Sequence, residues 1–280
     1  MNLTNYHSHC SFCDGKAPLE DFIREAIRQG FNSYGISSHA PLPFPTRWNM
    51  ERTQMEAYLS ECQRLKRAYA GQIELYIGLE IDYLNEETHP GIEYFCSLPL
   101  DYRIGSLHLL YNPHGELVDV DVPADKFRIL IEKEFQGNVQ ALMRQYYYSL
   151  TRMLERGGFD IIGHADKIHY NVSAYDPTIP GQAWYKELVC DFFHAASVKG
   201  YIVEINTKAF EAFGIFYPSV HYFSLLHELE IPVVVNSDAH YPDRINSGRR
   251  AALTSLYQCG FREVMEIRQG KWTSVAIDLS

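Results

Sequence analysis

Positive charge is scarce in this 280-residue sequence: 25 Lys and Arg residues stand against 35 Asp and Glu, a formal charge of −10. With no basic cluster either, the composition argues against a nucleic-acid-binding surface. Long apolar runs are also missing. None approaches the roughly 18 residues that a membrane span requires. Met1-Asn2-Leu3-Thr4-Asn5-Tyr6 lacks the basic region and apolar core of a signal peptide. The expectation is a cytoplasmic protein with neither a nucleic-acid nor a membrane partner. Cysteine is sparse, with six residues irregularly spread, as in proteins of a reducing compartment. Cys10 and Cys13 form a C-x-x-C, but no second pair lies at zinc-ribbon spacing, so ordinary thiols are expected there. Repeats, low-complexity tracts and linkers are absent.

What is present is enough apolar material, 46% of residues, to bury one core, and one domain over 1–280 is expected. Strand-like and helix-like segments alternate along it. Short apolar runs at 3–6, 33–37, 75–81, 101–107, 159–163, 201–205 and 231–236 read as strands, with another near 274–277. Leu19, Phe22, Ile23 and Ala26 recur at helical spacing after Pro18, and Gly30 closes that helix. Further helices are predicted at 50–70, 138–156, 184–199, 219–228 and 261–269, with another beginning at Arg249 and Arg250. The segments 40–49, with three prolines, and 112–125 read as irregular. Alternation of this kind implies a parallel sheet with helices outside it, and consecutive apolar residues such as Val233-Val234-Val235 fit strands buried on both faces.

The strand-like runs carry the chemistry. His7-Ser8-His9 follows the first run, and residues i and i+2 of a strand share a face, so both imidazoles can meet one metal. Asp238-Ala239-His240 repeats that spacing after the Val-Val-Val run. Glu80 is a carboxylate inside an apolar strand, which is costly to bury without a cation. His39, His108 and His164 each follow a run, and Asp14 lies in the first loop. Any one of these has an ordinary explanation as a hydrogen-bonded histidine or surface acid. Nine strand-end placements together point to one metal-binding face, that at the C-terminal ends of strands in a β/α barrel.

The same residues carry a resemblance. His7-Ser8-His9 with Asp14, Ser38-His39, Gly78-Leu79-Glu80, Ser106-Leu107-His108, Gly163-His164 and Ser237-Asp238-Ala239-His240 resemble the successive motifs of the PHP (polymerase and histidinol phosphatase) superfamily, from Leu3 to about Arg249. The segments His39-Ala40-Pro41-Leu42-Pro43-Phe44, His164-Ala165-Asp166-Lys167 and Glu204-Ile205-Asn206-Thr207 are most similar to its monofunctional histidinol-phosphate phosphatases. The resemblance implies an α/β fold, a distorted seven-stranded (β/α)7 TIM-like barrel. It also implies three divalent ions of zinc, iron or manganese at the C-terminal ends of the strands. His7, His9, Glu80 and Asp238 would hold the first ion. Glu80, His108 and His164 would hold the second, and Asp14, His39 and His240 the third.

The implied activity is hydrolysis of a small-molecule phosphate ester, most closely L-histidinol phosphate, by water made acidic between two ions. Glu80, Asp238 and His240 are the ligands expected to serve the chemistry directly. Lys208 and Lys167 are candidates for binding the phosphate. Lysine at position 208 keeps charge but lacks the bidentate fork of arginine, which leaves open another substrate of the same class, a nucleotide, sugar phosphate or small phosphodiester. Asp166, Glu211, Phe44 and Trp48 are candidates to surround a cationic amino alcohol. An amidohydrolase is disfavoured because Glu80 stands where that family carries a carboxylated lysine, and a regulatory module without turnover would not need all nine donors.

Overall fold

The computed structural model describes residues 1–280. Strands β1 (Thr4–Asn5), β2 (Ser33–Ile36), β3 (Glu74–Asp82) and β4 (Tyr102–Ser106) are followed by an antiparallel hairpin, β5 (Leu109–Tyr111) with β6 (Leu117–Asp119). The chain then adds β7 (Ile161–Ile162), β8 (Ile202–Asn206) and β9 (Val233–Asn236), and it ends in a second antiparallel hairpin, β10 (Glu263–Arg268) with β11 (Lys271–Ala276). The helices are α1 (Leu19–Arg28), α2 (Met55–Ala68), α3 (Glu93–Cys96), α4 (Ala124–Glu134), α5 (Val139–Arg156), α6 (Ile168–Tyr175), α7 (Ala183–Lys199), α8 (Phe210–Phe213), α9 (Phe223–Glu228) and α10 (Arg249–Gln258). None is long and apolar enough to cross a membrane.

Seven strands form one parallel sheet in the order β1-β2-β3-β4-β7-β8-β9. A parallel bridge from Ser8 to Ala239 brings the outer strands together, and His9 N–H donates to the Ala239 carbonyl at 2.9 Å. The result is the distorted seven-stranded barrel that the sequence resemblance implied. β9 is Val233-Val234-Val235-Asn236, with all four residues buried, as expected of a strand covered on both faces.

The N-terminal end of the barrel is filled by aromatics. Tyr6, Tyr76, Tyr102 and Ile267 pack with the inward aliphatics of the strands. The β10–β11 hairpin caps this end: Ile267 N–H donates to the Tyr6 hydroxyl at 2.8 Å, and Trp272 packs edge-on to Tyr6 with ring centroids 5.3 Å apart. Segment 261–269, read above as a helix, is therefore mostly the strand β10. Phe261, Val264, Met265 and Ile267 happen to fall near helical spacing. Gln269 and Gly270 both have positive φ, and this two-residue turn twists as an antiparallel hairpin requires. Segment 112–125 is likewise not irregular: it holds β6 and the start of α4.

Tyr102 lies across two neighbouring strands where only glycine leaves room. A Cβ at Gly78 would sit 2.4 Å from the Tyr102 ring, and one at Gly35 would sit 2.4 Å from its hydroxyl. That hydroxyl donates to the Tyr6 carbonyl at 2.6 Å, so the ring cannot easily yield. Gly78→Ala should lower stability by about 1–3 kcal/mol through overpacking. Urea denaturation checks this, and an unchanged midpoint would mean that the ring has freedom the packing denies it.

Candidate metal centre

The opposite end of the barrel receives the nine predicted donors, and the structure brings all of them together. His7 and His9 leave β1 on one face, and Glu80 projects inward from within β3, bridged to His39 beyond β2. His108, His164, Asp238 and His240 follow β4, β7 and β9, while Asp14 comes from the loop after β1. His164 has φ 24° and Asp238 φ 48°, a region that residues other than glycine seldom adopt. Such strain at two strand ends, those of β7 and β9, is characteristic of functional positions, where the surroundings hold it in place.

Glu80 occupies the centre. It is fully buried, and its two oxygens face different imidazoles. Oε1 lies 2.8 Å from His164 Nε2 and 3.6 Å from His108 Nε2. Oε2 lies 2.9 Å from His39 Nδ1, 3.1 Å from His7 Nε2 and 3.4 Å from His9 Nε2. Asp238 Oδ1 is 3.1 Å from His9 Nε2 and 3.5 Å from His240 Nδ1. Asp14 Oδ1 is 3.2 Å from His240 Nε2. Six atoms of this set have no hydrogen-bond partner although they are buried: His7 Nε2, His9 Nε2, Asp14 Oδ1, His39 Nδ1, Glu80 Oε2 and His164 Nδ1. Inward-facing, unpaired nitrogen and oxygen donors at this density are a set that divalent cations satisfy.

Four overlapping groups have ligand atoms within 4.8 Å of one another: His9, Asp14, His39 and His240; His7, His9 and Glu80; His7, His164 and Asp238; and His39, Glu80 and His108. Burial alone would raise the Glu80 carboxyl, but His7, His39 and His108 outweigh it and hold Glu80 well below the usual range. Asp238 is also raised by burial and brought well below its usual range by Lys208, His7 and His9. Burial, together with His39 and His240, pushes His9 well down, so it sits as a neutral imidazole, the form that binds metal.

A layer of carboxylates behind the imidazoles was not singled out from the sequence. Glu204 Oε1 accepts from His7 Nδ1 at 2.7 Å and from Asn236 Nδ2 at 3.0 Å. Its Oε2 accepts from the His164 N–H at 2.9 Å and from Asn206 Nδ2 at 3.0 Å. One side chain thus ties four strands of the barrel. Asp82 accepts from His108 Nδ1 at 2.9 Å and from its backbone N–H at 2.8 Å. Burial would lower His108, but Asp82 and Glu80 raise it to about 9. Both carboxylates were detectable: Glu204 interrupts an apolar strand as Glu80 does, and Asp82 stands two residues after Glu80 on the same face.

The two candidate lysines reach the same mouth. Lys208 Nζ donates to Asp238 Oδ1 at 3.1 Å, and Lys167 Nζ donates to Asp121 Oδ2 at 2.6 Å. The ring of Trp48 stands 4.7 Å from His39 and 5.3 Å from His108, so the proline-rich 40–49 segment borders the site as expected. Asp166 does not face the mouth. It is buried and accepts from the hydroxyls of Tyr147 in α5 and Tyr185 in α7. Glu211 is half exposed beside the mouth, and Phe44 is half-buried on the 40–49 loop. Arg249 is buried and donates to the Val235 carbonyl at 3.0 Å, a structural role, while Arg250 is exposed. Cys10 and Cys13 are free thiols raised by burial, Cys13 to about 12, and neither joins a donor group.

Among known proteins, the chain is similar to the histidinol-phosphatase of Bacillus subtilis, 28% identical over 259 residues that cover 86% of this chain and 94% of that one. Among solved structures, it is similar to the histidinol phosphate phosphatase of Lactococcus lactis complexed with zinc, L-histidinol and phosphate. That match has a TM-score of 0.73 and 18% identity, and it covers 97% of this chain and 99% of the other. At that identity the likeness bears on the barrel alone. The PHP domain family matches residues 5–208, a span that carries seven of the nine donors and most of the barrel. The chain belongs to the PHP domain family.

Proposed function

We propose that this protein is a metal-dependent phosphomonoesterase that hydrolyses L-histidinol phosphate to L-histidinol and phosphate. The observation that carries the reading is Glu80, buried with five imidazoles divided between its two oxygens and with two lysines at the same mouth. The reading is supported by the names of the relatives and by the zinc, histidinol and phosphate bound in the Lactococcus lactis structure.

Three divalent ions, of zinc, iron or manganese, fit the donor set. His7, His9, Glu80 and Asp238 would hold one, Glu80, His108 and His164 the second, and Asp14, His39 and His240 the third. His7, His9, His39 and Glu80 each stand in two donor groups, so each could be shared between neighbouring ions. Bound there, such ions supply Lewis-acid polarisation of the phosphoryl oxygens and acidify a water.

The remaining work falls to side chains. Glu80 sets the separation of the donor groups from its two oxygens. Asp238 joins the donor floor to Lys208, and His240 lies between Asp238 and Asp14. Lys208 and Lys167 orient the phosphate and offset its charge. The apolar face of Trp48 excludes water on the side of His39 and His108.

Metal-loaded protein should hydrolyse L-histidinol phosphate, and chelation should abolish turnover, with recovery on adding manganese or zinc. A panel of phosphate esters checks this, and preferential cleavage of a nucleotide or sugar phosphate would reassign the substrate within the same chemistry. Glu204→Gln should weaken metal binding by roughly 10- to 100-fold, because the carboxylate fixes the tautomer and orientation of His7. Competition with a chelator measures the change, and unaltered affinity would remove Glu204 from that role. Lys208→Ala should raise KM for phosphate esters more than it lowers kcat, since a lysine on the phosphate binds ground and transition states alike. If kcat falls at constant KM, Lys208 acts only in the transition state.

A further inference from the structure

The donors and lysines described so far all address phosphate and are indifferent to the alcohol it is joined to. A cavity of about 280 Å³ opens directly beside them, lined by Lys208, Asp238 and His240 on the metal side and by Glu211, Tyr241 and Arg244 on the far side. We infer that Glu211 binds the ammonium group of an amino-alcohol phosphate in this cavity and so makes the enzyme selective for phosphate esters that carry an amine near the ester oxygen. The inference rests on the phosphatase reading and adds to it the residue that selects the alcohol.

Elimination among the nearby carboxylates supports the choice. Glu80, Asp238 and Asp14 belong to the donor cluster. Glu204 and Asp82 are committed to His7 and His108. Asp121 is held by Lys167 at 2.6 Å, and Asp166 is buried among tyrosine hydroxyls. Glu211 alone both lines the cavity and keeps its carboxylate available. Its one ion-pair partner, Arg244, stands 3.5 Å away, and both side chains are about half exposed, 52% and 55%. An exposed pair of that kind is weak and readily exchanged.

Position agrees with chemistry. Glu211 lies in α8, three residues beyond Lys208, so the cation for phosphate and the anion for amine come from one short segment after β8. An ester bound with its phosphate at Lys208 and the donor cluster would extend into the cavity toward Glu211. Tyr241, half exposed on the same wall, offers an aromatic face to the ring of the alcohol.

The experiment compares metal-loaded wild type, Glu211→Gln and Glu211→Lys on L-histidinol phosphate and on 3-(imidazol-4-yl)propyl phosphate, which keeps ring and ester but lacks the amine. Wild type should favour the amine-bearing ester. Glu211→Gln should lower kcat/KM for it by about tenfold, chiefly through KM, and leave the amine-free ester within about twofold. Because a glutamine oxygen can still accept from an ammonium group, Glu211→Lys is the stricter variant and should abolish the preference. Undiminished preference in Glu211→Lys overturns the role of Glu211, and so does equal cleavage of both esters by wild type; neither result touches the phosphatase reading. Failure of wild type to cleave either ester overturns the phosphatase reading and this inference with it.

Discussion

Everything at the C-terminal end of this barrel is arranged around one buried carboxylate. Glu80 is wholly removed from water, and an ionised group there is tolerable only if cationic charge surrounds it. Five imidazoles stand within 3.6 Å of its oxygens. Protonated imidazoles at that spacing repel one another, and burial together with the charges of His39 and His240 depresses His9. Divalent ions would resolve the conflict, because they accept neutral imidazole and carboxylate together. The second layer follows from the same constraint: Glu204 and Asp82 take the outward nitrogens of His7 and His108, which turns the inward ones toward the centre.

The barrel separates stability from chemistry along its axis. One end is closed by Tyr6, Tyr76, Tyr102 and the C-terminal hairpin, an aromatic filling dense enough that Gly35 and Gly78 have no room for a side chain. The other end carries polar donors that would be unstable in a core without partners. Asn236, Asn206 and Glu204 hold the donor-bearing strands in register between the two. Strain at His164 and Asp238 is sustained because Glu204 grips the His164 N–H and Asn206 the Asp238 carboxylate.

Much of this was legible beforehand. Alternating segments and strand-end donors foretold a parallel barrel with one polar face, and all nine donors converge. The failures were local. In 261–269, apolar residues spaced by three and four imitate a helix, whereas the positive φ of Gln269 and Gly270 and the partner strand make it a hairpin. Asp166 reads as a mouth residue because it lies on a strand-end loop, but its side chain faces the tyrosines of α5 and α7, whereas that of Lys167 faces Asp121.

By itself, the sequence determined which residues form the candidate donor set and that they lie at strand ends, because spacing by two on a strand and acids within apolar runs are local properties of the chain. Tertiary structure alone decided how those residues share their neighbours. That Glu80 divides its oxygens between two sets of imidazoles, that Glu204 reaches His7 across 197 positions, and that Glu211 lines a cavity with Asp238 depend on contacts between distant segments. Such contacts are set by barrel closure and side-chain packing, and no local pattern encodes them.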